Sequence, residues 1–318
     1  MKPARISDWR LKAVVASVLL AACGYLLVSA WTGWRSVLGG LEAVGARGIA
    51  LALGLSALNY GLRFVRWNAY MRAMGHRIPW GDHARIYLTG FALTTTPGKA
   101  GEAIRAVFLT RHGVDYGTTL AAMFSERLSD LVGVLVLCLP GLGLDARLHA
   151  WVVVAAAAVI GALALLAWPG WLAWSSKVTT QLPGRVGQLL RHAVDMLQQA
   201  RRCHAPRLLV LATLLSLGAW SAEALAFHWI CARLGVPISM GYAMFVYAAS
   251  IIAGSLSLLP GGLGGTEAVM VALLLVRGSS MPDAVTATLL IRLATLWFAV
   301  ALGMVALAGL RETRVDPA

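Results

Sequence analysis

Long apolar runs alternate with short polar stretches along the chain. Six runs are long enough to cross a bilayer, since about 20 helical residues at roughly 1.5 Å each span its ~30 Å hydrocarbon core. These runs cover residues 11–32, 48–71, 117–140, 150–170, 207–232 and 283–309. Two further regions, 83–112 and 240–277, are apolar but interrupted by proline and glycine. The pattern predicts an all-α polytopic membrane protein with about six full crossings.

The two interrupted regions share one order of features. The first contains "TPGKAGEAIRAVFL" and the second "LPGGLGGTEAVMVALLL". Each has a proline-glycine break, then a glutamate, then an apolar helix too short to span. The residues of the breaks are Pro97, Gly98, Pro260, Gly261 and Gly262. We expect two re-entrant helical hairpins with tips inside the protein, although the run 240–259 is also long enough to cross alone.

A fixed interval continues beyond each break. Arg127 follows Glu102 by 127 − 102 = 25 residues, and Arg292 follows Glu267 by 292 − 267 = 25 residues. A leucine comes after each arginine. These features suggest a duplication, with repeat 1 at about 48–140 and repeat 2 at about 207–309. Three predicted crossings separate the two breaks, so the repeats are expected to be inverted. Paired interrupted segments in inverted halves are typical of transporters with a site near the bilayer midplane.

Composition supports the membrane assignment. The chain is 59% hydrophobic and 13% charged, whereas soluble domains are about 45–50% apolar and about 25% charged. Its net charge is +13, and its basic residues cluster at the ends of apolar runs. This placement is typical of cytoplasmic segments of a membrane protein and argues against nucleic-acid binding. Both termini are expected in the cytoplasm of a bacterial inner-membrane protein. Residues 1–318 are expected to form a single membrane domain. Its connection 171–206 is expected to hold an amphipathic helix, either on the inner membrane surface or packed against the bundle.

Charged residues inside the apolar regions are the candidate site, because each costs at least about 2.5–3.5 kcal/mol at the bilayer centre. The candidates are Lys99, Glu102, Arg105, Glu126, Arg127, Asp130, Glu223, Glu267 and Arg292. Repeat symmetry predicts a Glu102–Arg127 pair and a Glu267–Arg292 pair. An alternative pairs Arg127 with Asp130 on one helix and leaves Glu126 at the interface. Arg63 and Arg66 are expected to mark the inner interface.

The expected role of these residues is substrate binding. Arginine's planar fork suits phosphate, and N–H groups exposed after each proline-glycine break add donors. The candidate substrate-binding residues are Arg127, Arg292, Glu102, Glu267, Lys99, Arg105, Asp130, Pro97, Gly98, Pro260, Gly261 and Gly262. Lys99 and Arg105 are expected either to attract anionic headgroups or to reach the interface. No phosphate loop, HExxH or GxSxG motif occurs, and the four cysteines lack metal-ligand spacing. The sequence thus predicts no cofactor, metal or catalytic residue.

The segments "PGKAGEAIRAVFLTRHG", "SERLSD" and "PGGLGGTEA" resemble the lysylphosphatidylglycerol synthase transmembrane-domain family, also called flippase-like. The resemblance covers roughly residues 10–310. It implies a membrane domain that flips lipid, which long relatives fuse to a cytoplasmic aminoacyl-transfer domain. This chain is expected to be a stand-alone member, so lipid aminoacylation is not carried over.

The leading hypothesis is a lipid flippase that moves a phospholipid or a polyprenyl-linked lipid. Its expected partner is a membrane lipid with an anionic or zwitterionic headgroup. The alternative is a non-transporting subunit that recruits a lipid-modifying enzyme through a basic inner face, and an intramembrane lipid-modifying enzyme is the third reading. Whether the protein forms a homo-oligomer is left open by the sequence.

Overall fold

The computed structural model describes residues 34–96, 101–141, 146–257 and 259–312, and the regular elements of this part of the chain are all helical. The α-helices are α1 Trp34–Ala73, α2 Trp80–Thr89, α3 Ile104–Leu109, α4 Tyr116–Cys138, α5 Ala146–Ala167, α6 Pro169–Gln181, α7 Gly184–Arg202, α8 Pro206–Arg233, α9 Met240–Leu256, α10 Gly265–Val276, α11 Met281–Arg292 and α12 Phe298–Glu312. The first predicted crossing, 11–32, lies outside the described residues.

Three of the described helices are long and apolar enough to cross a membrane. They are Ser36–Ala73, Pro206–Arg233 and Met281–Leu310, the last of which joins α11 and α12 through a π-helical segment. The bent pair Val153–Ala167 and Pro169–Gln181, with an angle of 75° between its helices, adds a fourth if it counts as one span. The all-α membrane class is confirmed. The number of crossings stays a prediction, partly because α4 is long enough but carries charged residues in its middle.

The first interrupted region folds as a helix, a turn and a second short helix. α2 continues as the 3₁₀ helix Gly90–Leu93, and the chain returns through α3. Pro97, Gly98 and Lys99, which follow this turn in the sequence, lie outside the described residues. The part on either side is buried, since Phe91 and Leu109 are at most 2% exposed.

The second interrupted region has the same order. α9 and α10 pack against each other on either side of the short 3₁₀ turn Pro260–Gly262. Gly261, Gly262 and Gly264 all have positive φ values, which residues with a Cβ rarely adopt. In both regions the described residues form helices on either side of the predicted break. Their re-entrant and inverted arrangement stays a prediction.

The two interrupted regions meet inside the protein. A Cβ built on Gly261 would lie 3.6 Å from both Cα and Cγ2 of Thr95. Thr95 comes two residues before Pro97 and is fully buried. Thr95 and Gly261, which we call the tips of the two units, are therefore neighbours in the interior.

The connection between the predicted repeats contains two helices, α6 and α7. α7 is amphipathic: its buried residues include Val194 and Ala200, while Val186 and Leu189 are about 70% exposed. Arg201 and Arg202 lie in its last turn. Exposed apolar side chains beside arginines fit a helix at a membrane surface.

Gly303 lets α12 approach the first interrupted region closely. A Cβ at this position would overlap the backbone nitrogen of Ala92 and lie 2.7 Å from the carbonyl carbon of Phe91. We expect Gly303→Ala to lower the free energy of unfolding by about 1–3 kcal/mol, because backbone cannot move aside cheaply. Thermal unfolding in detergent measures the change. Gly309→Ala, on the same helix with open space around it, is the matched control. Equal unfolding midpoints for the two variants would refute this packing.

Candidate functional site: a two-part arginine and glutamate network

Glu126 is the centre of a group of seven charged side chains, six of them buried, which we call the first charge cluster. Its members are Arg63, Arg66, Glu102, Arg105, Glu126, Arg127 and Asp130. Arg105 Nη1 donates to Glu126 Oε2 at 3.0 Å, and the Tyr87 hydroxyl donates to Oε1 at 2.8 Å. The Nη2 atoms of Arg63 and Arg66 lie 3.5 and 3.6 Å from Oε1. Glu126 is fully buried inside the protein, and its depth in the bilayer stays a prediction.

Asp130 lies one helical turn after Glu126 and has different partners. Arg66 Nη1 is 2.7 Å from Oδ1, and Arg63 Nη2 is 3.4 Å from Oδ2. The indole nitrogen of Trp220 also donates to Oδ1, at 3.1 Å. The alternative pairing of Arg127 with Asp130 is therefore not formed. Asp130 holds α1, α4 and α8 together.

Arg63 and Arg66 lie inside the protein, and their expected place at the level of the inner interface stays a prediction. They are 7% and 0% exposed. α1 continues to Ala73, so both arginines are held within the helix rather than at its end. Their side chains face the acids of α4, and the Arg66 guanidinium also donates to the Ser216 hydroxyl.

Glu102 connects two arginines of the first charge cluster. Arg127 Nη2 donates to Glu102 Oε2 at 2.5 Å, and Arg105 Nη2 donates to the same oxygen at 3.3 Å. Thr94 donates to Oε1 at 3.4 Å. The structure thus contains the Glu102–Arg127 pair that repeat symmetry predicts. It also gives Glu102 a second cation.

Arg105 is fully buried inside the protein. Its guanidinium carbon lies 4.2 Å from the centre of the Tyr87 ring and 5.1 Å from that of Trp67. These cation–π contacts and its two carboxylates hold the side chain in one position. Arg105 is therefore positioned to hold Glu102 and Glu126.

The second pair lies in the second interrupted region. Arg292 Nε donates to Glu267 Oε1 at 2.6 Å, and Arg292 Nη2 donates to the Gly261 carbonyl at 2.8 Å. Glu267 Oε2 accepts from the Gly264 N–H at 2.7 Å, at the start of α10. The predicted Glu267–Arg292 pair is thus present. Here too, the carboxylate has a second partner, which is the helix N-terminus.

A cavity of about 260 Å³ lies between the two halves of the network. Arg127 and Arg292 both line it, together with the apolar side chains of Ile251, Leu259 and Leu296. The Arg127 side chain is 35% exposed, which is far more than the other arginines of the first charge cluster. Gly261 and Gly262 bring the backbone of the second break to its wall. The cavity therefore presents one guanidinium from each predicted repeat.

A smaller cavity of about 60 Å³, which we call the inner chamber, adjoins the first. Both share Arg292, Ile251 and Leu296 as lining residues. The full lining of the inner chamber includes the charged residues Arg63, Glu102, Glu223 and Arg292 and the aromatic residues Tyr60, Phe91, Trp220 and Tyr247.

The π-helical segment Leu293–Trp297 follows Arg292 directly. The Tyr60 hydroxyl donates to the Thr295 carbonyl at 2.5 Å. A π-bulge changes the register of a helix locally and is frequent at functional sites. It lies here at the boundary between the two cavities, where Thr295 and Leu296 line the inner chamber.

The network brings together most of the predicted site residues. Glu102, Arg105, Arg127 and Asp130 belong to the first charge cluster. Pro260 lies in the second break, outside both linings. Among the described residues, no three His, Cys, Asp or Glu side chains are arranged to hold a metal ion.

Sequence reasoning missed the roles of Arg63, Arg66, Tyr87 and Glu126. One signal could have found part of the set. Arg63 and Arg66 are three residues apart on one apolar helix, and Glu126 and Asp130 are four apart on another. Both spacings place two charges on one helical face. Matching basic and acidic faces in neighbouring helices would have predicted their pairing.

Comparison with known proteins identifies the family of this chain. The family described as "Lysylphosphatidylglycerol synthase TM region" matches residues 14–303. A "UPF0104 membrane protein" of Pyrococcus horikoshii is 23% identical over 320 residues, which cover 90% of this chain and 94% of that protein. A second protein of that description, from Methanothermobacter thermautotrophicus, is 23% identical over 287 residues, which cover 81% of this chain and 84% of that protein. The chain is a multi-pass membrane protein that belongs to the lysylphosphatidylglycerol synthase TM region family.

Proposed function

We propose that the protein is a lipid transporter of the flippase type, which moves a phosphate-bearing lipid across the bacterial inner membrane. The observation that carries this proposal is the cavity of about 260 Å³ lined by both Arg127 and Arg292. Two guanidinium groups in an apolar surrounding favour an anionic group strongly, and arginine binds phosphate through two parallel hydrogen bonds. Family membership supports a lipid-related function.

The two glutamates are arranged so that the arginines can be released. When a phosphate takes Arg127, Glu102 keeps Arg105 at 3.3 Å. When a phosphate takes Arg292, Glu267 keeps the Gly264 N–H at 2.7 Å. Neither carboxylate is then left buried without a partner, which would cost several kcal/mol. Headgroup binding is thus an exchange of ion pairs.

The acyl or isoprenoid chains stay in the bilayer while the headgroup passes between the two breaks. Ile251, Leu259 and Leu296 make the cavity wall compatible with the first carbons of such a chain. Both termini and the α6–α7 connection are placed on the cytoplasmic side in this proposal, in line with the basic residues there. Lys99, next to the first break, attracts the headgroup from that side.

The test is transport in proteoliposomes with fluorescently labelled phospholipid. We expect Arg127→Ala and Arg292→Ala each to lower the rate at least about tenfold, because each removes one bidentate phosphate contact. Arg72→Ala, which removes an exposed arginine at the end of α1, is the matched control and keeps the wild-type rate. Size-exclusion profiles verify that all variants are folded. Folded Arg127→Ala and Arg292→Ala proteins that transport at the wild-type rate would exclude this mechanism, and wild-type protein that moves no lipid would favour the recruiting subunit.

A further inference from the structure

Glu223 is a buried carboxylate that the proposed phosphate site does not use. It lies on α8, is 5% exposed and lines the inner chamber together with Arg63, Glu102 and Arg292. The Tyr247 hydroxyl donates to its Oε2 at 2.7 Å. An ionisable residue at the wall of a cavity within a membrane protein is a candidate binding site for an ion or a proton.

Two tyrosines at matching places in their helices each hold one buried glutamate. Tyr87 and Tyr247 are each the eighth residue of their helix, α2 and α9. Tyr87 donates to Glu126, which Arg105 also holds at 3.0 Å. Glu126 is not among the lining residues of either cavity, whereas Glu223 lines the inner chamber. The first acid is thus fixed among arginines, and the second faces a space that water or a substrate can enter.

A tyrosine hydroxyl suits a carboxyl group in both of its protonation states. It donates to a carboxylate and, after turning, accepts from a carboxylic acid, whereas an arginine only donates. Glu102 keeps Arg105, and Glu267 keeps the Gly264 N–H, when a phosphate takes their other partners. A proton on either of these acids would oppose an N–H donor. A proton on Glu223 lets its bond to Tyr247 persist in the reverse direction.

The inner chamber is electrically balanced before a substrate enters. Its lining contributes two arginines, Arg63 and Arg292, and two carboxylates, Glu102 and Glu223, so the charges sum to zero. Arg292 also lines the larger cavity, and a phosphodiester bound there adds one negative charge beside this balanced group. An excess charge inside the protein is costly. One proton taken up by a carboxylate restores the balance.

The helices that pack against α8 bring several charged or titratable groups towards Glu223. They are Tyr60 and Arg63 of α1, Asp130 of α4, Tyr247 of α9 and Arg292 of α11, together with Glu102 of the first interrupted region. Asp130 and Glu102 are held by arginines, and Glu223 is held by a hydroxyl. The uptake of a proton is therefore assigned to Glu223.

We propose that Glu223 is a proton-binding site that couples the transport of a phosphate-bearing lipid to the movement of one proton in the same direction. The proton comes from water on one side of the membrane and binds a carboxylate oxygen of Glu223 when the phosphate pairs with Arg127 and Arg292. It returns to water on the other side when the headgroup leaves, and no covalent bond of the lipid changes. This inference rests on the proposed transport function and deepens it by naming the coupling ion and the residue that carries it.

The experiment separates the effect of a pH gradient from that of an electrical potential. Proteoliposomes of the full-length protein contain labelled phosphatidylglycerol as the probe, a lipid with one negative charge. Together with one proton it crosses as a neutral pair. We expect a pH difference of about one unit to shift the steady-state ratio of probe between the leaflets by up to about tenfold, towards the alkaline side. A potassium diffusion potential of about 60 mV is expected to shift this ratio less than about twofold.

Glu223→Gln keeps the size of the side chain but cannot take up the proton. We expect this variant to move the probe through Arg127 and Arg292 as a charged species. The pH gradient then no longer shifts the ratio, whereas a potential of about 60 mV shifts it by up to about tenfold. Glu223→Asp retains a carboxyl group and is expected to keep the wild-type responses. Asp195→Asn, which changes an exposed acid of α7 into its amide, is the matched control and keeps them as well.

The outcomes distinguish the two proposals. Wild-type protein whose probe follows the potential and not the pH gradient would overturn the proton site while leaving lipid transport standing, and this result needs no variant. Folded Glu223→Gln protein that still responds to the pH gradient would overturn the assignment to this residue. If the wild-type protein moves no probe even without a gradient, the transport function fails and the proton coupling fails with it.

Discussion

Glu126→Gln is expected to destabilise the protein by about 3–5 kcal/mol, which is the usual cost of removing one partner from a buried ion pair. The substitution preserves the shape of the side chain but removes its charge. The first charge cluster then changes from four arginines and three acids, a net +1, to a net +2. Arg105, which lies 3.0 Å from Glu126 and is fully buried, loses one of its two carboxylates.

The effect is large because the surroundings cannot compensate. Arg63 and Arg66 also face Glu126, and the amide of glutamine would direct two N–H donors into a space already filled with donors. Water cannot reach this position easily, since Glu126 is fully buried. The repulsion between guanidinium groups is therefore screened only weakly.

The measurement is the midpoint of unfolding in detergent, together with the yield of monodisperse protein. Glu267→Gln is the matched control, because Glu267 pairs with one arginine and its side chain is 17% exposed. We expect its effect to be smaller than that of Glu126→Gln. Removing a positive charge as well, in Glu126→Gln/Arg105→Gln, is expected to recover part of the loss. A Glu126→Gln protein as stable as the Glu267→Gln protein would show that the cluster does not hold the fold together.

The parts of the fold that the sequence predicted depend on the length of the apolar runs and on where proline and glycine interrupt them. Apolar runs gave the long helices, and proline-glycine breaks gave the two helix–break–helix units. The repeated interval of 25 residues predicted both glutamate–arginine pairs. Both pairs are present, although they use different atoms: Arg127 donates through Nη2 and Arg292 through Nε. The repeat itself stays a prediction.

The rest of the site depends on which helices are neighbours, and a pattern along one chain does not contain this. Arg66 lies near the end of an apolar run, where a basic residue is usually interfacial. Its place in the interior follows from the extension of α1 to Ala73 and from the acids that α4 presents to it. The π-helical turn after Arg292 and the contact between Thr95 and Gly261 are likewise products of packing.

That contact allows the second prediction, which concerns the movement that transport requires. If the headgroup passes between the two breaks, the tips at Thr95 and Gly261 must separate in each cycle. Disulfides join residues whose Cβ atoms lie about 3.5–4.5 Å apart, and a Cβ at Gly261 would lie 3.6 Å from Thr95 Cα and Cγ2. In the double variant Thr95→Cys/Gly261→Cys, we expect oxidation to close the tips and lower lipid transport to the rate of empty liposomes.

Reduction of the oxidised double variant is expected to restore transport, because the bond constrains the tips without removing an arginine or a glutamate. The single variants Thr95→Cys and Gly261→Cys control for the loss of the threonine and for strain at Gly261, whose φ of 63° favours glycine. The described native cysteines, Cys138, Cys203 and Cys231, are buried and are present in every variant. Suppose instead that the cross-linked protein moves lipid as fast as the same protein after reduction of the disulfide. The headgroup would then take a route on which these tips stay together. Inhibition that reduction reverses, seen only in the double variant, would instead identify the separation of the two breaks as a step of transport.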